Sequence, residues 1–523
     1  MKFLFPFFLF VVILSFSCSV SDTTTSRFSG QHRIDIIPLP QVLKSLTEAD
    51  ELLLLSSESA VFVADSSLLP IVERWCADMK LVHGVQLHIT STLDQTADVI
   101  FDLNSSFNGE KHRISIANII EVSGGSVNAI AHAGASLLQL AKVENGRLAL
   151  PLVEIEDAPD ASYRGLMLDL ARNWHTVASI KKCIDLAAFY KSNYVHLHFT
   201  DYQSYTLPSK AFPKLSTPDR HYTFDELEDL EAYAKTRGVI LIPEIDVPGH
   251  ASSIVKAYPE IFGIKALDKN PYILNMGSEE VYHALEIILS EIIPIFSSSP
   301  YFHIGGDEAI FDHVLEDPAA KEYMEIHQLG MDVHELYRHF LTRVDSMVRR
   351  QGKQTCVWEG FRPEGKVDIP KDIIVFEFET NRYLPQQLVD DGYTVVNTAW
   401  KPLYVVNKKK FSPSSIYGWN RWYWANWWPR APSCTPIQIK PTEQVIGGQM
   451  CSWEQPEVVE LPSLRKRLPI MNERLWNREP RLSLSDFLNS LEATDKKLSL
   501  LIGDSRQDSL LTNYNWSAEM EKK

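Results

Sequence analysis

The stretch YFHIGGDEA, Tyr301 to Ala309, runs a short apolar segment into two adjacent acids, Asp307 and Glu308. Tyr301, Phe302 and Ile304 have strand character. Gly305 and Gly306 break the strand and let the backbone turn at its carboxyl end. Two carboxylates held close together cannot ionise independently, so one pKa rises. A raised carboxyl pKa suits a general acid near neutral pH. The plainer alternative is a solvated loop after a strand, where Asp-Glu is an ordinary pair. A second constellation is His196-Leu197-His198, which sets two imidazoles on one strand face. With His250 and Asp307 it would make a zinc set, against the commoner alternative of two hydrogen-bonded core histidines.

The elements that must position these groups follow from the apolar rhythm. Arg33 to Asp157 alternates strand and helix patterns, with strands at Ala60–Val63, Gln86–Thr90 and Asp98–Leu103 and helical spacing over Leu69–Leu81 and Ala129–Val143. This reads as an α+β domain over residues 31–157, with an exit at Ile155–Ala161. From Tyr163 strand-length runs recur at Gly165–Leu170, Tyr194–Phe199, Val239–Ile245, Tyr301–Ile304, Gln354–Trp358, Ile373–Phe378, Thr394–Thr398 and Val445–Met450. Helical patterns separate several of them, among them Val177–Tyr190, a helix opened by Thr223 with Glu226 as a capping box, Ser278–Ile293 and Val333–Arg350. The fold class is therefore α/β: a (β/α)8 TIM-type barrel over residues 158–500, preceded by the smaller α+β domain and followed by a tail at 501–523. In such a barrel chemistry sits after the carboxyl ends of the strands. Polar and aromatic residues stand there at nearly every strand: Arg172 and His175, His198 and Asp201, Glu244, Asp246 and His250, Asp307 and Glu308, Trp358 and Glu359, Trp400 and Tyr404, then Trp453, Glu454 and Gln455.

Bulk properties narrow the partners. The 523 residues hold 51 basic and 67 acidic side chains, a formal net charge of −16, which argues against nucleic acid or an anionic membrane as partner. Hydrophobic content of 45% and charged content of 23% are those of a globular protein with a large core. The 12 tryptophans can build core or offer flat faces on which sugar rings stack. Paired carboxylates with aromatic walls fit sugar chemistry without a metal or cofactor. Met1–Ser17 reads as a signal peptide and 18–30 as a linker, so export is expected, with no transmembrane helix in the mature chain. Ser15-Phe16-Ser17-Cys18 loosely resembles a lipoprotein cleavage site, making Cys18 a candidate lipid anchor; simple secretion competes. The remaining cysteines, Cys76, Cys183, Cys356, Cys434 and Cys451, are widely spaced and imply no disulfide framework. Asn104-Ser105-Ser106 and Asn515-Trp516-Ser517 match the glycosylation pattern.

HIGGDEA at His303–Ala309 resembles the signature of the β-N-acetylhexosaminidases of glycoside hydrolase family twenty. The resemblance extends through YRGLMLDLARNW at Tyr163–Trp174, HLHFTD at His196–Asp201, PEIDVPGH at Pro243–His250 and NTAWKPLY at Asn397–Tyr404. It implies an exo-acting retaining hydrolase of terminal β-linked N-acetylhexosamine, in which the substrate's own acetamido oxygen attacks through an oxazolinium-like intermediate. By that resemblance Glu308 is the acid/base and Asp307 orients the acetamido group. Arg164 grips ring hydroxyls, Tyr404 holds the acetamido oxygen, Trp358 and Trp453 wall the sugar, and Asp201, His250, Trp400 and Gln455 complete the substrate contacts. A metal-dependent hydrolase and an inactive sugar-binding scaffold remain as alternatives. The chain departs from the family pattern at Asp201-Tyr202, where two acids are common, and at Gln455, where a glutamate is common. The sixth-strand run IIVFEFE has no tryptophan, and the aromatic stretch Tyr417–Trp428 is either an outer sugar platform or a packed loop.

Overall fold

The structure is a computed structural model that describes residues 34–48, 51–90, 97–264 and 272–508. The signal segment, the linker, Cys18 and the Asn515 site lie outside the described residues.

The first domain is a mixed sheet. Its strands run in the order Val42–Ser45, Val153–Asp157, His112–Ile116, Ile120–Gly124, Val99–Leu103, Ala60–Val63 and His88–Thr90. The helices Leu69–His83 and Val127–Leu140 lie together against it. Leu69–His83 ends at Gly84, whose left-handed backbone (φ 74°) closes the last turn. Gln139 ties this domain to the next, because its amide meets Ile37 on one side and the Phe189 carbonyl on the other.

The second domain is a closed parallel barrel of β1 (Tyr163–Asp169), β2 (Tyr194–His198), β3 (Ile240–Glu244), β4 (Tyr301–His303), β5 (Gln354–Trp358), β6 (Ile374–Glu377), β7 (Thr394–Asn397) and β8 (Val445–Trp453). Each strand pairs with the next, and β8 closes on β1 from Tyr163↔Gly447 to Leu168↔Ser452. Gly447 permits this closure, since a Cβ there would stand 1.8 Å from the Tyr163 carbonyl oxygen. The strands are apolar on both faces because one face fills the barrel and the other meets the helices. Met167, Ile242, Phe376, Val396 and Cys451 fill the interior with Tyr163 and Trp358.

The helices begin where their caps are. Thr176 caps Val177–Phe189 by accepting from the Ser179 N–H, and Thr223 with Glu226 forms the expected capping box on Phe224–Lys235. Glu279–Ile292 and Val333–Arg350 follow. The crossover from β5 to β6 carries no helix among its described residues; it is a loop braced by Arg338, which donates to the Val367 and Arg362 carbonyls. The aromatic stretch is mostly core. Trp419, Trp422 and Trp424 are buried and donate their indole N–H groups to the carbonyls of Tyr423, Thr442 and Glu377. The last helix, Leu484–Ile502, is followed by chain that packs rather than trails. Asp508 is buried against Arg467 at 2.7 Å and Lys410 at 3.4 Å, so the first residues of the segment expected as a tail from 501 pack on the barrel domain.

Candidate active site

The carboxyl rim of the barrel is built on a buried hub. Glu244, the last residue of β3, is fully buried. Its Oε2 lies 2.7 Å from His198 Nδ1 and 3.0 Å from His196 Nε2, while Oε1 accepts from Trp358 Nε1 at 2.6 Å and faces His303 Nδ1 at 3.2 Å. Burial opposes its charge, but the His198, His303 and His196 imidazoles outweigh burial and hold its carboxyl well below the usual range. The histidine pair on β2 is thus a hydrogen-bonded core pair. His196, His198, His250 and Asp307 do not converge on one point. The groupings close enough to hold an ion are His196–Glu244–His303, His198–Glu244–Asp246 and Asp246–His250–Asp307, among the described residues. His198 and His250 both have proton affinity raised well above the usual imidazole value, despite burial, by the carboxylates around them.

One layer outward, Asp201 has no oxygen to offer a ligand. Its Oδ2 takes His198 Nε2 at 3.0 Å and Arg172 at 2.7 Å, and its Oδ1 takes the Tyr202 N–H at 2.5 Å and His250 Nδ1 at 3.2 Å. Asp201 therefore holds Arg172 and His250 in place. The other face of His250 carries Tyr202, stacked at 4.6 Å. His250 Nε2 reaches Glu308 Oε2 at 3.3 Å and Asp307 Oδ2 at 3.7 Å.

The acidic pair sits on a strained turn. Gly305 and Gly306 take φ of 70° and 100°, and Glu308 itself takes φ 44°. A Cβ on Gly305 would lie 1.8 Å from Asp246 Oδ1, so only glycine fits. Asp246 in turn accepts from the Gly306 N–H at 3.2 Å and fixes the turn. Asp307 is almost buried, and its Oδ1 has no protein hydrogen-bond partner among the described residues. Burial pushes its carboxyl up; His250 opposes this and the Glu308 charge adds to it. Glu308 moves the other way. Its hydrogen bond to His250 holds it below the usual range, against partial burial and with help from the Arg382 and Arg172 charges. One member of the pair does rise, and it is Asp307. The Glu308 side chain is 43% exposed, so it faces the opening.

Aromatic walls complete the rim. The Arg172 guanidinium lies 4.8 Å from the centre of the Trp453 ring, and the Tyr404 ring lies 6.1 Å from it. Trp400 is 5.5 Å from Tyr404 and 5.4 Å from Trp427, and its buried indole N–H has no protein acceptor among the described residues.

Asp307, Glu308, His250, Tyr404, Trp400 and Trp453 thus gather at the rim. Other residues expected as contacts lie elsewhere. Arg164 sits at the opposite, amino end of β1, fully buried, and its guanidinium grips both oxygens of Glu110 at 2.8 and 2.9 Å. Gln455 is fully buried, donates to the Val405 carbonyl at 3.0 Å and accepts from Ser463 at 3.2 Å, so it points away from the opening. Trp358 is 1% exposed and forms the floor beneath Trp453 rather than an open face. Arg172 does reach the rim, held by Asp169 at 3.2 Å and by Asp201. Its position immediately after the carboxyl end of β1 was the signal for it.

Chemically, this is a proton-rich cluster of carboxylates around one imidazole, beside an aromatic cleft, with a guanidinium at one edge. Residues 162–479 match the model described as "Glycosyl hydrolase family 20, catalytic domain", and residues 33–158 match "Glycosyl hydrolase family 20, domain 2". The chain is 28% identical over 356 residues to a Beta-hexosaminidase of Porphyromonas gingivalis, a match covering 62% of this chain and 45% of that protein. It is 28% identical over 403 residues to a Beta-hexosaminidase of Vibrio furnissii, covering 66% of this chain and 64% of that one. The chain therefore spans less than two thirds of these curated relatives. A chitobiase of Flavobacterium johnsoniae shares the fold with a TM-score of 0.74 at 26% identity, over 90% of this chain and 73% of that one.

Proposed function

Starting from a chain that belongs to glycosyl hydrolase family 20, we propose that it removes a terminal β-linked N-acetylhexosamine from a glycan by a retaining, substrate-assisted reaction. One observation carries the reading. Asp307 presents a buried carboxylate oxygen, free of protein donors among the described residues, next to the exposed acid Glu308 and close enough to Tyr404 for its charge to act on that hydroxyl. That oxygen can accept the acetamido N–H and stabilise positive charge as the acetamido oxygen attacks the anomeric carbon. Tyr404 holds the acetamido oxygen, Trp453 stacks on the ring, and Arg172 takes ring hydroxyls with its fork.

The proton comes from the His250–Glu308 pair. In the open site the pair holds its proton toward His250, and Glu308 is ionised. A bound sugar covers Glu308, removes its water and disfavours its charge, which moves the proton to Glu308. Glu308 then protonates the leaving oxygen, and in the second step accepts a proton from the attacking water. Asp201 keeps His250 in register for both steps. The apolar Met1–Ser17 run supports export of the chain toward extracellular glycans.

The deciding experiment compares initial rates on paired 2-acetamido and 2-hydroxy β-glycosides, with and without chelator. Hydrolysis of the acetamido sugars alone, unchanged by chelator, is expected. Equal hydrolysis of both removes the acetamido nucleophile, and loss of activity on chelation favours the metal alternative. Glu308→Gln is expected to lower turnover of glycans by about 10²–10⁴-fold at an unchanged fold.

A further inference from the structure

Beyond Glu308 the rim opens into a second basin of about 600 Å³, lined among others by Ala309, His334, Arg362, Glu364, Asn381 and Arg382. This is the size of a site for one or two sugar rings. It begins at the residue after the proposed acid and lies on the loops that follow β5 and β6. A pyranose carries its anomeric carbon and its C4 at opposite ends of the ring. With the non-reducing end held by Arg172 at the β1 edge, the leaving group passes over Glu308 toward the far side of the barrel, where this basin is.

The basin is cationic in a chain of net charge −16. Arg362 is exposed, and its loop is pinned because Arg338 donates to the Arg362 carbonyl at 2.7 Å. The Arg382 side chain is 27% exposed and has Glu379 at 3.3 Å, but Glu379 is buried and its carboxyl is pushed up to about 7 by that burial. His334 shows the same field: burial first, then the Arg362 and Arg382 charges, lower its proton affinity. Glu364 is the acid in the lining.

We propose that this basin is the leaving-group subsite and that Arg362 and Arg382 make it select an anionic sugar, one bearing a carboxylate or a sulfate. The inference rests on the proposed reaction at Glu308. Guanidinium forks match either anion in bidentate geometry, and a cationic pocket raises the local concentration of an anionic substrate.

The test uses the full chain and four glycosides of the same N-acetylhexosamine: 4-nitrophenyl, neutral hexose, hexuronic acid and sulfated hexose. At low ionic strength the kcat/KM for at least one anionic disaccharide is expected to exceed that for the neutral one about tenfold or more, and the advantage shrinks as salt rises. The arm that shows the preference identifies the anion. Arg362→Glu is expected to cut the anionic-to-neutral ratio at least tenfold, and Arg362→Lys to keep much of it. Turnover of the nitrophenyl and neutral substrates with no anionic preference, or a ratio unmoved by Arg362→Glu, overturns the subsite alone. Failure to turn over any of the four overturns the proposed reaction, and the subsite with it.

Discussion

Arg164 and Arg172 leave the two ends of the same strand, and the barrel uses them in opposite ways. Arg164, at the amino end, is sealed between the domains. Both Glu110 oxygens, the Ala161 and Lys191 carbonyls and the face of Trp476 satisfy it. Glu110 is correspondingly held well below the usual range: burial opposes its charge, and Arg164 and then His132 outweigh burial. Arg172, at the carboxyl end, shares its partners with a crowd of acids. Asp201 meets two other cationic groups; Asp246 is pushed up by burial and then by the Asp307 charge, and Asp307 by burial and then by the Glu308 and Glu244 charges. At the amino end Arg164 and Glu110 pair fork to fork. The other end keeps carboxylates frustrated around an opening, which is where proton transfer needs them.

The comparison breaks if both arginines behave alike. Arg164→Ala leaves Glu110 buried without its main partner, so a loss of about 3–5 kcal/mol is expected in urea unfolding. Activity per folded molecule should stay at the wild-type value. Arg172→Ala is expected to do the reverse. A charge-assisted fork lost at the rim lowers kcat/KM about a hundredfold, or about 2.7 kcal/mol, with a smaller change in unfolding midpoint than Arg164→Ala gives. An inactive but stable Arg164→Ala would return the sugar contact to the amino end and undo the distinction.

Much of this frame was legible in the chain. The barrel strands stand out because parallel strands buried on both faces are continuous apolar runs, and Gly305-Gly306 marks the turn because only glycine clears Asp246. The difference between the two arginines is also readable from position, since Arg164 lies at the amino end of β1 and Arg172 follows its carboxyl end. What no local pattern carries is the partner. Glu110 belongs to another domain, so the burial of Arg164 depends on a long-range contact. Gln455 follows β8 in sequence, yet its side chain turns back to Ser463 on the next helix. The identity of the raised acid was hidden for the same reason: Asp307 rises because it is buried and Glu308 falls because it meets His250, and both depend on long-range packing, with Asp201 at β2's end holding His250.

At the aromatic wall the expected effect is smaller. Tyr404→Phe removes one hydroxyl and keeps the ring against Trp453. A single hydrogen bond to the acetamido oxygen is worth about 1.4 kcal/mol, so kcat/KM on acetamido substrates should fall about tenfold, with midpoint stability unchanged. Equal loss on nitrophenyl and disaccharide substrates places Tyr404 at the sugar that both share. A loss confined to disaccharides would move it to the leaving-group side.

Glu359 sharpens the contrast from the stability side. It follows β5 at the carboxyl end, with Oε1 accepting the Arg382 and Tyr383 N–H groups and Oε2 without a protein partner among the described residues. Burial pushes its carboxyl up to about 8, although Arg382 opposes this. A folded-state pKa above the unfolded value of 4.5 means that its contribution to stability is full below about pH 4.5 and is lost as pH rises through about 8. Glu359→Gln keeps the accepting oxygen and fixes the neutral form. The variant should match wild type near pH 5 and melt progressively higher than wild type as pH approaches 8.5. If one unit of the upward shift survives relaxation, the gain is about 1.4 kcal/mol. The same kind of substitution at the amino end, Glu110→Gln, should destabilise at every pH above 5, because there the charge is matched by Arg164. Removing a carboxylate charge would then stabilise one end of the barrel and weaken the other, which is the difference expected between an end that closes a domain interface and an end that holds protons for chemistry.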